Sequence, residues 1–87
     1  MRFITVTADI YSTIKGESYR LYVGSDLMTE RTFSWEPDTE YVEEHIIIQS
    51  ESPAEYEVSV QSVSNNACFS IKNVTVDRVN TERKFSV

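Results

Sequence analysis

Apolar and polar residues alternate with a period of two along most of this chain. Residues 2–10 place Ile4, Val6, Ala8 and Ile10 on one parity and Thr5, Thr7 and Asp9 on the other, the pattern of a strand with one face buried. Residues 18–23 repeat it, with Tyr19, Leu21 and Val23 set against Arg20 and Tyr22. Residues 27–35 begin at Leu27 and Met28, turn polar at Thr29-Glu30-Arg31-Thr32, and end at Phe33 and Trp35. Residues 41–49 culminate in Ile46-Ile47-Ile48. There Val42, Glu44, Ile46 and Ile48 share one face, and Tyr41, Glu43, His45 and Ile47 share the other. Both faces turn apolar toward Ile48, which predicts a central strand running into a covered core. Residues 55–63 read as another strand, with Tyr56, Val58 and Val60 inward. In residues 67–79, Phe69 and Ile71 set one parity and Val74 and Val76 the other. Such a switch at Lys72-Asn73 predicts a β-bulge or a sandwich corner.

The punctuation between these runs is polar. Gly16, Gly24-Ser25-Asp26 and Ser64-Asn65-Asn66 are turn signals, the last a hairpin turn because Asn tolerates left-handed geometry. Glu36-Pro37-Asp38-Thr39-Glu40 reads as a loop. Ser52-Pro53-Ala54-Glu55 has the capping-box pattern, but a strand follows at once, so one helical turn at most is expected. Short strands at regular spacing predict an all-β fold. The expected form is a two-sheet antiparallel β-sandwich, jelly-roll-like, of about six to eight strands with little or no helix. The chain is read as one domain, residues 1–87, with residues 80–87 either a last edge strand or a flexible docking tail.

Composition narrows the setting. A chain this short buries roughly 60–65% of the surface its unfolded form exposes, enough for one core. Cys68 is the only cysteine, so no intrachain disulfide forms, and a secreted domain of this size would usually need such staples. No basic flank leads into a long apolar run at the start, so no secretion signal is expected and the chain is read as complete. No stretch approaches the ~18 apolar residues of a membrane span. Cytosolic assembly, without a membrane, is the expectation from these features. The net charge of −6 is unevenly spread: residues 32–71 hold eight acids and no Lys or Arg, while residues 72–87 hold four basic side chains and two acids. A nucleic-acid partner needs a basic footprint, and the short C-terminal cluster is too small for one. The acidic middle is either a solvated face or a surface complementary to a basic partner, such as the basic tail of a neighbouring copy.

Candidate chemistry is sparse. His45 and Cys68 are each unique and fall in different strands, so no nucleophile–base pair is implied. Cys68 reads as a small core residue and His45 as a half-exposed strand residue. No metalloprotease, paired-cysteine, phosphate-loop or dinucleotide motif appears, and the expectation is a non-enzyme without cofactor. Residues 36–40 are the best calcium candidate, but they lack EF-hand spacing and a glycine at the sharp turn. Glu44 shares its parity with Val42, Ile46 and Ile48, which calls for a structural ion pair with Arg20 or Arg31, unless Glu44 lies beyond the core's edge. Trp35, Tyr22 and Tyr41 are candidates for a carbohydrate-stacking platform, against the commoner use of such rings in a core. The tail offers Arg83, Lys84, Phe85 and Val87 as candidate partner-binding residues, with Phe85 as anchor and the two cations meeting acids. Strand addition at an open edge would be its mode.

Residues 19–23 (Tyr-Arg-Leu-Tyr-Val), 26–35 (Asp-Leu-Met-Thr-Glu-Arg-Thr-Phe-Ser-Trp), 41–48 and 69–76 (Phe-Ser-Ile-Lys-Asn-Val-Thr-Val) resemble small proteins of T4-like tailed phages of cyanobacteria. The resemblance covers residues 19–76, and its most specific piece is residues 27–35. The final strand is also loosely similar to that of jelly-roll carbohydrate-binding modules. The phage resemblance implies a β-sandwich virion or accessory protein and supplies no ligand or catalytic residue. The resulting expectation is a structural or capsid-decorating protein that acts through protein contacts or self-association. The alternatives are a carbohydrate-binding module that takes glycan and a small acidic inhibitor of a host protein.

Overall fold

The computed structural model describes residues 2–37, 39–51, 54–64 and 68–87. The fold is all-β, and no helix occurs among these residues. Its strands are β1 (Arg2–Ser12), β2 (Ser18–Val23), β3 (Asp26–Thr32), β4 (Val42–Ser50), β5 (Glu55–Ser62), β6 (Phe69–Val76), β7 (Val79–Asn80) and β8 (Lys84–Ser86). They form two four-stranded sheets, ordered β4-β1-β6-β7 and β3-β2-β5-β8. Every pairing is antiparallel. The chain is thus a small β-sandwich.

The alternation read from the sequence is what closes the two layers. Ile4, Val6, Ala8 and Ile10 of β1 meet Tyr19, Leu21 and Val23 of β2, and all seven are at most 2% exposed. Ile46, Ile48, Val58, Val74, Phe85 and Phe33 complete the core. Burying an aliphatic side chain of this size stabilises by about 2 kcal/mol before entropy is charged against it. The parity switch near Asn73 is a bulge: the β1–β6 register shifts between Thr7 and Asp9, and Asn73 has φ 54°. Val74 thereby turns back into the core. Asn73 also donates from Nδ2 to the buried Asp9 carboxylate at 2.9 Å.

Three expectations are corrected. The isoleucine-rich strand is not central. β4 is an edge strand, and the centre of its sheet is shared by β1 and β6. Only the Glu44–Ile46–Ile48 face of β4 is buried, and Ile47 is 70% exposed. The predicted hairpin after β5 does not join partners, because β5 pairs in one sheet and β6 in the other. That connection crosses the sandwich; Asn65 and Asn66 themselves lie outside the described residues, as do Ser52 and Pro53 of the predicted helical turn. Finally, Cys68 is exposed rather than in the core. It precedes β6, and its backbone N–H donates to Thr13 Oγ1 at 3.1 Å.

The tail is part of the sandwich. Phe85 pairs with Tyr56 in the β5–β8 ladder, packs against that ring at 6.0 Å and is 7% exposed. Val87 and Ala54 exchange two backbone bonds of 2.9 Å. An arm reaching to a partner with Phe85 as anchor is therefore ruled out in this fold, because withdrawing Phe85 would open the chain's own core.

Candidate functional site

Each candidate residue now has a place. Glu44 is 4% exposed and accepts two bonds on Oε1: from Arg31 Nε at 2.6 Å and from Tyr19 Oη at 3.0 Å. Arg31 reaches it because Tyr19 and Arg31 are register partners on β2 and β3, while Glu44 belongs to the other sheet. The ion pair therefore ties the two sheets together. Burial, reinforced by the Glu44 carboxylate, raises the Tyr19 phenol above its usual range, and the bond to Glu44 raises the Arg31 guanidinium. Arg20, the other arginine offered to Glu44, points from the opposite face of β2 and pairs with Glu30 at 2.6 Å.

The three aromatics proposed as a sugar platform do not share a surface. Tyr22 lies on the outer face of the β2 sheet, opposite in parity to Tyr19, Leu21 and Val23. Tyr41 stacks on Tyr11 at 5.1 Å beside the outer face of the β1 sheet. Trp35 packs edge-on against the buried Phe33 at 5.4 Å. No single sugar ring spans these positions, so that platform is withdrawn.

Of residues 36–40, Asp38 lies outside the described residues, and the Glu40 carboxylate accepts the Glu36 N–H at 2.8 Å. Among the described residues no group of three or more His, Cys, Asp or Glu side chains could hold a metal ion. His45 Nε2 lies 2.5 Å from Glu43 Oε1, on the outer face of β4. Arg83 and Lys84 are exposed, with Lys84 in register opposite Glu57.

What the fold assembles instead are two unlike flanks. On one, edge strands β3 and β4 face each other across the layers. A slot of about 290 Å³ opens there, with Asp26 and Gln49 in its lining beside Val23, Met28, Ile48 and Tyr56. Among the described residues no strand pairs with the outer edge of β4. Beside that edge, on the outer face, Phe3 and Ile47 are each 70% exposed. They are diagonal neighbours, since Phe3 pairs with Gln49 and Thr5 with Ile47, so they form one apolar patch. The exposed charges around it are the acids Asp26, Glu43 and Glu51 and, at the end of β1, Arg2.

On the opposite flank, β7 and β8 enclose a groove of about 340 Å³ lined by Val76, Val79, Phe85 and Val87. Val79 is 68% exposed. The turn before it, Asp77-Arg78, has positive φ at both residues, the primed geometry that suits a two-residue hairpin. Asp77 is held by Thr5 N–H at 3.0 Å and by Arg2 at 3.1 Å. Arg78, Arg83 and Lys84 make no ion pair among the described residues.

Sequence reasoning missed Phe3, Ile47 and Val79 as surface residues. Phe3 was legible, since its parity matches Thr5 and Thr7 rather than Ile4 and Val6. Ile47 was not, because an isoleucine between two isoleucines carries no sign of which face is covered. No protein-family model, curated protein or solved structure matches this chain.

Proposed function

We propose that the chain is a non-catalytic β-sandwich that works by binding protein at its β3/β4 flank, as a component of a larger assembly. One observation carries this reading. The nine-residue edge strand β4 has no strand on its outer side among the described residues and runs beside the exposed pair Phe3 and Ile47. An open edge of that length offers a row of backbone donors and acceptors to an incoming strand, and the adjacent patch offers apolar area. The acids around it favour a basic or uncharged partner. A virion-associated role, the setting implied by the phage resemblance, is where such a building block would serve.

The test uses an extended peptide of alternating Lys and Val as probe, titrated while backbone amide shifts are followed. Shifts should move along residues 43–50 and at Phe3, and Ile47→Lys should abolish them. Absence of a response in β4, or an equal response in the Ile47→Lys protein, would overturn the reading.

A further inference from the structure

The two flanks match each other. We propose that the β3/β4 flank of one copy receives the β7/β8 flank of the next, so that copies join side by side, head to tail. The proposal rests on the reading of the β3/β4 flank as a binding surface and names its occupant as a second copy of this chain.

Strand direction is the first support. Each sheet has four strands and only antiparallel pairings, so its two edge strands run in opposite directions. β7 is therefore antiparallel to β4, and β8 to β3. A copy displaced sideways without inversion, and turned to follow the twist of the sheets, continues both sheets in the antiparallel sense.

Register is the second support. In one sheet Val79, Val76, Val6 and Ile46 form a single row across the strands. The sideways copy brings Val79 level with Ile46 of its neighbour, two residues along β4 from Ile48 in the slot's wall. In the other sheet Val58, Val23 and Asp26 form a row, and Val58 N–H donates to Arg83 O at 2.8 Å, which sets Arg83 in the same row. The same displacement brings Arg83 level with Asp26 of the neighbour. An exposed apolar side chain thus comes beside the buried Ile46 near the slot, while an exposed cation meets an exposed acid of the slot's lining.

Charge and area agree. β4 carries no Lys or Arg and β3 carries Asp26 and Glu30 with Arg31, whereas at the β7/β8 end Arg78, Arg83 and Lys84 outnumber Asp77 and Glu82. β1, with eleven residues, is about 36 Å long, so strands lie along the 38 Å axis of a molecule measuring 38 × 22 × 16 Å. A flank of 38 by 16 Å presents roughly 600 Å² per copy, about the lower limit for a specific interface. Two different flanks in contact make a heterologous interface, which propagates into rings or filaments rather than stopping at a pair. A two-fold β4–β4 pairing is disfavoured by the same charges, since it would gather the Glu43 and Glu51 side chains of both copies.

The test is a charge exchange read by sedimentation equilibrium at low salt. The wild-type chain should associate beyond a dimer, and high salt should weaken association. Asp26→Lys and Arg83→Glu should each weaken it at least tenfold, and the chain carrying both changes should recover to within about threefold. Asp26, Arg83 and Val79 are all exposed, and circular dichroism with a thermal melt confirms that each variant folds. Val79→Asp, outside the charge pair, should also abolish association. A monomeric wild type, failure of the double exchange to recover, or a dimer indifferent to Arg83→Glu and Val79→Asp would overturn the proposal. Each of these leaves the peptide response of β4 as a separate readout, so a wrong occupant is distinguishable from a wrong surface.

Discussion

Glu44 sits on the core face of an edge strand, and one of its oxygens holds two donors from the facing sheet. A carboxylate buried to this degree is costly unless it is paired. The pair is asymmetric, because Arg31 is about half exposed while Glu44 is not. Removing the arginine strands the buried charge, whereas removing the acid frees an arginine that water can reach. Arg31→Ala should therefore cost about 3 kcal/mol and Glu44→Leu distinctly less, measured by urea unfolding. Tyr19 adds a dependence on pH. Its folded phenol holds its proton more tightly than the unfolded one, so its contribution is complete below the usual tyrosine value near 10 and is lost as pH rises beyond that. The melting temperature should fall above that pH, and Tyr19→Phe should flatten the fall. An unchanged alkaline slope in Tyr19→Phe would contradict this role.

At the scale of elements, the last strand decides more than its three residues suggest. β8 closes the open side of β5 and delivers Phe85 to the core. Phe85→Ala should cost about 3 kcal/mol, and a chain ending at Asn80 should lose cooperative unfolding. A tail that could be removed without loss of stability would mean that β8 is not part of the fold. β4 is the contrasting case, a long strand whose outer face is dispensable. Ile47→Lys should leave the melting temperature within about 4 °C, because the residue is 70% exposed and such surface changes stay within about 0.5 kcal/mol.

At the scale of the whole molecule, the two sheets do not close into a barrel. Edges remain on both flanks, and exposed edges are templates for pairing. The flanks differ in charge and in shape, so the association proposed between them would be directional. The core between the sheets is packed from aliphatic and aromatic side chains.

The period-two alternation of residues 2–10 and 18–23 determined that strands form and which of their faces are buried, because a pleated strand cannot present one residue to both sides. The switch of parity around Asn73 likewise determined a bulge. Glu44 announced a buried carboxylate by its parity, but not which arginine it would meet, because Arg20 and Arg31 differ only in the face they take. Which strands lie at the edge was decided by tertiary structure alone. Strand order is set by how sheets pair over long separations, and no local pattern encodes it; hence the Ile46-Ile47-Ile48 run looked central and stands at an edge. The same long-range pairing placed Phe85 inside, separated Tyr22, Trp35 and Tyr41, and set Val79 and Arg83 in the rows of Ile46 and Asp26.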